Sequence, residues 1–303
     1  MSAITSHSQA GESMPLPVSR PETILVAVQD SQDSVAAVPV AKILAQVEEA
    51  TLHFLYTGTH QGDPKELLKE LGLTPEDLHG GVLNQVNATP EAIATAASTT
   101  PSPLVVASAR PESSDLDSSL GLLCDAVLTS PLARVLIVPP DWTSESWSIR
   151  HIVLAHDGSR SADSAISMAA DLARRAGAHV VALHVAARKA PQSAEVGSFP
   201  APQYIDQPQH EWPMWANEFM QRMIALGASP AAMNFKLLVT GGQPGSEIAD
   251  FAVENHADLV VMAWRGLWEA EHAQTLRVVI RRSACPVLLV CPSMGNCFSQ
   301  RIG

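Results

Sequence analysis

The chain has 303 residues, a formal net charge of −12 and a pI near 5.3. This acidic balance argues against nucleic acid or an anionic membrane as a main partner, because both require a basic surface. The length predicts two domains, and no apolar run approaches the roughly 20 residues of a membrane-spanning helix. Residues 1–20 are polar and lack the apolar core of a secretory signal, so we expect a disordered tail.

Short apolar runs alternate with helical patterns from residue 21 to residue 140, which we take as the first domain. The sequence predicts strands at 24–28, 52–56, 82–86, 104–108 and 135–138. It predicts helices that end near residue 49 and that span 64–71, 90–97 and 116–128. This alternation is typical of right-handed βαβ units and a parallel sheet.

The pattern restarts after a linker at 141–149 that is rich in Ser and Trp. The second domain covers 150–292, and a C-terminal tail follows at 293–303. Predicted strands lie at 152–155, 180–185, 235–239, 259–263 and 287–290, and predicted helices at 161–176, 214–225, 244–254 and 270–282. The halves read as one unit repeated, and an insertion at 188–213 lengthens the second copy. We expect part of this insertion to pack over the second domain's cleft or against a neighbouring chain.

Three stretches of the second half carry a family resemblance. They are the turn Asp157-Gly158-Ser159 after an apolar strand, the strand L-V-V-M-A that Trp264 and Gly266 follow, and the closing C-P-V-L-L-V. Together they resemble the universal stress protein family over roughly 150–292. The resemblance implies two tandem five-stranded parallel-sheet domains of Rossmann-like α/β architecture, the first strongly degenerate.

The resemblance also implies a nucleotide cleft in the second domain. Its base and ribose side would use Asp157 and Val185. Met262 would precede the phosphate loop, and Gly266 is a loop glycine that the chain retains. The family's phosphate loop relies on glycines that let the backbone approach the anion.

That phosphate loop is shortened here and lacks two of its three glycines. Ala263 and Ala273 stand at glycine positions, and Gln274 stands where the family has a hydroxyl residue. The first half departs further, because Gln29 replaces the strand-end Asp and only Gly121 remains of the glycines. We therefore expect no cofactor, with ATP or AMP in the second domain as the alternative.

His156 and His184 lie near Asp157 at the ends of strands that should be neighbours. Two imidazoles and a carboxylate are a zinc-ligand set, but a hydrogen-bonded core histidine is the more ordinary interpretation. We therefore assign no metal site, and no arrangement of residues points to a catalytic residue.

These observations favour a cytoplasmic stress-response binding protein that is not an enzyme and lacks the family's usual ATP binding. The alternatives are a nucleotide sensor that uses the second domain and a weak nucleotide hydrolase. Four cysteines are too few for a disulfide framework, so we expect free thiols, with Cys124 and Cys285 buried. The expected partner is an unidentified protein, and a homodimer is left open.

The two last strands, 135–138 and 287–290, are apolar runs without a charge inside. An exposed edge of that kind invites aggregation. We therefore predict that these strands pair antiparallel within the chain, which makes the two domains an intramolecular pseudo-dimer.

Overall fold

A computed structural model describes residues 20–29, 36–58, 66, 69, 74, 82–110, 119–140, 142, 146–159, 162–186, 217, 218, 221, 224, 225, 236–264 and 273–291. In these ranges the strands are β1 (Thr23–Val28), β2 (Thr51–Tyr56), β3 (Leu83–Gln85), β4 (Pro103–Ser108), β5 (Arg134–Val138), β6 (His151–Ala155), β7 (His179–Ala186), β8 (Lys236–Gly241), β9 (Leu259–Ala263) and β10 (Val287–Val290). The helices are α1 (Ala37–Glu48), α2 (Pro90–Ser98), α3 (Leu122–Thr129), α4 (Asp163–Ala176), α5 (Pro244–Glu254) and α6 (Gln274–Arg282).

All ten strands form one sheet in the order β3-β2-β1-β4-β5-β10-β9-β6-β7-β8. Within each half the strand pairs are parallel and follow the same order, so the second half repeats the first. The predicted α/β fold with two five-stranded parallel halves is confirmed.

The two halves meet at their last strands. β5 and β10 pair antiparallel, with Val135 opposite Leu289 and Leu136 opposite Leu288. All four residues are buried. The antiparallel pairing predicted for these strands is confirmed, and it turns two edges that would be exposed into the centre of a continuous sheet.

Alternate strand residues point to two cores, one on each face of the sheet. Ile24 and Leu154 belong to the first core, which α1 and α4 cover. Leu25 and Val153 belong to the second core, which α2, α3, α5 and α6 cover. Each core draws residues from both halves, so the apolar packing as well as the hydrogen bonding joins them.

Glu48 at the end of α1 forms the main polar contact between the halves. Its side chain is buried, and it pairs with Arg175 of α4 and with Arg20. Burial raises the pKa of Glu48 above its ordinary value of 4.5, although Arg175 and Arg20 act to lower it. Arg134 of β5 is also buried nearby, and burial lowers its pKa to about 10 although Glu48 acts to raise it.

The predicted linker is fastened to the second half. Trp147 is buried, and its Nε1–H donates to the backbone oxygen of Asp258 at 2.8 Å. Trp142 meets Trp147 edge to face, with ring centroids 6.4 Å apart. Trp147 therefore ties the segment before β6 to the residue that precedes β9.

Two predicted helix starts are wrong. α3 begins at Leu122 and not at residue 116, because Ser119 and Leu120 are not helical and Gly121 has a φ of 98° that no α-helix contains. α6 begins at Gln274 and not at residue 270, with Ala273 as its N-cap. The predicted helix at 64–71 lies almost wholly outside the described residues, as does most of the one at 214–225, and the insertion at 188–213 lies outside them altogether.

Cys124 and Cys285 are free thiols and buried, as predicted. Burial raises the pKa of Cys285 to about 12 and that of Cys124 well above its ordinary value, which makes both thiols poor nucleophiles. Cys291 is disulfide-bonded, so the expectation of free thiols throughout is wrong. None of the helices in the described ranges has the length and hydropathy that a membrane span requires.

Candidate functional site

The candidate cleft lies where β6 ends between β7 and β9. The chain runs from β6 first to β7 on one side and later to β9 on the other, so this is the point where the strand order reverses. Ligands of open α/β sheets bind in the crevice at such a point, outside the carboxyl ends of the strands. The turn 156–159 directly follows β6 and occupies this position.

Asp157 is the exposed residue of this turn. Its Oδ1 accepts a hydrogen bond from the backbone N–H of Ser159 at 2.8 Å, which fixes the carboxylate at the mouth of the crevice. Gly158 has a φ of 80°, a left-handed conformation that side chains rarely adopt. The turn therefore needs glycine at position 158, and it presents the Asp157 carboxylate to solvent as a hydrogen-bond acceptor.

Two histidines at this turn, His156 within it and His184 on β7, are both buried. The backbone N–H of Gly158 donates to His156 Nδ1 at 3.0 Å, and His156 Nε2 lies 3.5 Å from Asp163 Oδ1 of α4. His184 Nδ1 lies 2.9 Å from the backbone oxygen of His156, to which it donates. These are core histidines with hydrogen-bond partners that position the turn.

The surroundings of His184 favour the neutral form of its imidazole. Burial lowers the pKa of His184, and the neighbouring His156 also acts to lower it, while its backbone hydrogen bond and Asp157 act to raise it. In the described ranges no group of three or more His, Cys, Asp or Glu side chains is arranged to hold a metal ion.

Three of the four predicted cleft residues are described, and they lie on or directly after three adjacent strands, β9, β6 and β7. Ala155 pairs with Leu183, so Asp157 and Val185 lie at the same level two residues further along their strands. Val185 is half-buried, with Thr240 as its partner on β8. Met262 pairs with Ala155 of β6 and belongs to the second core, against which Val185 also packs, and Gly266 lies outside the described residues.

The N-terminus of α6 is the described end of the predicted phosphate loop. Its N-cap is Ala273, which is 0% exposed, and no side chain caps the helix. Gln274 follows as the first helical residue and is exposed. The methyl group that replaces a family glycine is therefore packed into the second core beneath the helix terminus.

In the first half, the two ends of the matching loop are hydrogen-bonded to each other. Gly121 is the N-cap of α3, and a Cβ at this position would lie 3.0 Å from the backbone oxygen of Arg110. The Arg110 N–H donates to the Leu120 oxygen at 2.6 Å. Gly121 is therefore required where the two ends of the loop meet. This structural role explains why it is retained although the first half lacks the family's other loop glycines.

A carboxylate of the chain itself holds this closed loop. Asp125 of α3 accepts hydrogen bonds from the Ser119 hydroxyl at 2.6 Å and from the Leu120 N–H at 3.2 Å. Arg281 of α6 reaches across from the second half and donates to the Ser119 oxygen at 3.2 Å. Asp125 and Asp163 were not predicted as functional residues, although both are acidic residues in the first turn of a helix, where carboxylates are favoured.

Comparison with known proteins supports this architecture. Residues 148–290 match the model of the Universal stress protein family. No curated protein matches the chain.

Among solved structures the chain resembles a protein of unknown function from Pseudomonas aeruginosa PAO1, with 17% identity and a TM-score of 0.61, over 89% of this chain and 92% of that one. It resembles a putative universal stress protein from Pseudomonas aeruginosa UCBPP-PA14, with 18% identity and a TM-score of 0.61, over 89% and 93% of the two chains. A universal stress protein from Archaeoglobus fulgidus DSM 4304 gives 18% identity and a TM-score of 0.58, over 89% and 96%. At these identities the likeness concerns the fold. Residues 148–290 form a universal stress protein family domain.

Proposed function

We propose that the chain is a cytoplasmic stress-response binding protein that neither holds ATP on the family's phosphate loop nor catalyses a reaction. The observation that carries this proposal is the buried N-cap of α6. Phosphate binding at a helix N-terminus requires the anion to approach backbone N–H groups closely. Here the methyl group of Ala273 is packed into the core at that terminus, and the long amide of Gln274 comes next.

A nucleotide sensor is the second candidate, and Asp157 favours it. Its carboxylate is exposed at the reversal point of the strand order, and Val185 lies at the same level beside it. A carboxylate in this position can accept hydrogen bonds from ribose hydroxyls. The side of the cleft formed by Asp157 and Val185 therefore suits adenosine or AMP, because these ligands need little or no phosphate site.

The first half serves as a structural partner in this proposal. Asp125 holds the end of its loop, and Gln29 stands after β1 where Asp157 stands after β6. We regard the two halves as the internal counterpart of a dimer, with an unidentified protein as partner. Light scattering on the purified chain tests the alternative of a homodimer.

Thermal unfolding in the presence of single ligands tests the proposal. A ligand that binds only the folded state at 100 times its dissociation constant adds about 2.7 kcal/mol of stability. We expect adenosine and AMP to raise the unfolding midpoint slightly in the wild type and not in Asp157→Ala. ATP with Mg²⁺ should add no more than AMP does. A much larger shift with ATP would favour the sensor, and release of ADP would favour a weak nucleotide hydrolase.

A further inference from the structure

Three polar side chains form a row at the end of the sheet opposite the candidate cleft. His151 is the first residue of β6 and His179 the first of β7, and the two are paired in register. Asp258 directly precedes β9, and its N–H donates to the His151 oxygen at 2.9 Å. Residues in register on neighbouring parallel strands project from the same face of a sheet and lie about 4.8 Å apart. The three side chains are therefore neighbours on one face.

The two imidazole rings of this row are stacked and exposed to solvent. Their ring centroids are 5.9 Å apart, and the ring planes differ by 16°. The side chain of His151 is 54% exposed, and His179 is exposed as well. This pair is therefore accessible from solvent, unlike the buried pair of His156 and His184.

Asp258 lies beside the Nδ1 side of the His151 ring. Its Oδ2 accepts hydrogen bonds from the backbone N–H groups of Arg150 and His151, both at 2.9 Å. The same oxygen lies 3.6 Å from His151 Nδ1. Two backbone groups fix the carboxylate, so Nδ1 faces an acceptor that a small turn of the ring brings within hydrogen-bond distance, and Nε2 points away from it. A carboxylate beside a histidine in this way is typical of metal-binding histidines.

Two neighbouring imidazoles match the ligand preference of Zn²⁺, Ni²⁺ and Cu²⁺. Such ions bind imidazole nitrogen at about 2.0–2.1 Å, which places two ligating nitrogens about 3 Å apart. The ring centroids now lie 5.9 Å apart, so the side chains must turn about their χ angles to bring one nitrogen each to a shared ion. The net charge of −12 also favours the approach of a cation.

We propose that His151 and His179 bind one divalent transition-metal ion, with water in the remaining coordination positions. Asp258 is a positioning residue that orients His151. The site needs two protein ligands and is independent of the nucleotide cleft at the other end of the strands.

Calorimetric titration of the untagged full-length chain with Ni²⁺ tests this site. The variants are His151→Gln, His179→Gln and Asp258→Asn. His256→Asn is the matched control, because His256 is exposed, lies near Asp258 in the chain and has a φ of 48° that asparagine tolerates.

We expect one Ni²⁺ site in the wild type and in His256→Asn, and its loss in either of the other two histidine variants. Asp258→Asn should weaken binding by about tenfold to a hundredfold, the usual effect of removing a group that orients a metal ligand. The unfolding midpoint without metal reports whether each histidine variant still folds. Absence of a Ni²⁺ site in the wild type, or a site that survives in His179→Gln, would overturn the proposal.

Discussion

Glu48 of α1 and Arg175 of α4 form an ion pair that joins the two halves of the molecule across the first core. The Glu48 side chain is fully buried, and among the described residues its Oε1 has no hydrogen-bond partner. A buried charge is costly unless it is paired, so this contact holds the halves in one arrangement and penalises any other.

Glu48→Ala should therefore destabilise the protein strongly. It removes the carboxylate that accompanies Arg175 and the buried Arg134, and breaking a buried pair in this way typically costs about 3–5 kcal/mol. Glu49→Ala is the control, because Glu49 pairs with Arg20 at the surface and its side chain is 81% exposed. Exposed pairs contribute about 1 kcal/mol or less. Equal urea midpoints for the two variants would contradict this account.

Glu48 also makes a specific prediction for pH. Burial raises the pKa of Glu48 in the folded chain, so folding favours the protonated carboxyl. The stability that this protonation contributes is fully present below the ordinary pKa of 4.5. That contribution is lost as the pH rises through the folded-state pKa. The free energy of unfolding of the wild type, measured relative to Glu48→Gln, should therefore decrease with rising pH. Urea unfolding of both proteins between pH 4 and pH 7 measures this difference, and an increase with pH would show that ion pairing outweighs burial.

Gly121→Ala should destabilise the first half. Its φ of 98° and ψ of 144° lie in a region that other residues hardly adopt, where strain costs about 1–3 kcal/mol. The added Cβ would also lie 3.0 Å from the Arg110 oxygen. Gly177→Ala is the control, since its φ is 67° and nothing lies within 4 Å of the added Cβ, so only about 1 kcal/mol is expected. A larger loss of unfolding free energy in Gly177→Ala would refute this role for Gly121.

Leu288→Ala tests whether the halves form one cooperative unit. Leu288 is fully buried opposite Leu136 at the junction of the halves, and truncation of a buried leucine costs about 2–5 kcal/mol. We expect hydrogen exchange to accelerate in β1 and in β6 together, because both cores cross the junction. Leu122→Ala, at a residue that is 71% exposed, should change neither strand's exchange. Acceleration confined to the second half would mean that the halves unfold separately.

The sequence predicts the central strands well because strands such as β1, β5 and β10 are short runs buried on both faces. Leu259–Ala263, Val287–Val290 and the helix Pro244–Glu254 have the predicted bounds. The start of α3 was missed because Asp125 folds back onto Ser119 and Leu120, an interaction that hydrophobic periodicity does not register. Glu48 and Arg175 could not be paired from sequence, since their helices lie in different halves of the sheet that β5 and β10 join.

The position of the candidate cleft was predicted from the turn motif after β6, and the rest of the cleft carries no such motif. Asp157 and Val185 lie where the strand register requires. Met262 pairs with Ala155 and Leu289 and belongs to the second core, against which Val185 also packs, so its role at the cleft stays a prediction. The buried state of Ala273 depends on the packing of α6, which the sequence of the loop alone does not specify.

The central claim is that the second half has lost the phosphate site and kept the side of the cleft formed by Asp157. Calorimetry with ATP and Mg²⁺, on protein freed of co-purified ligand, tests it most directly, with AMP and the Asp157→Ala variant in parallel. We predict no micromolar binding of ATP, and at most weak AMP binding that Asp157→Ala abolishes. A micromolar dissociation constant for ATP that is lost in Asp157→Ala would contradict the claim and establish a nucleotide sensor.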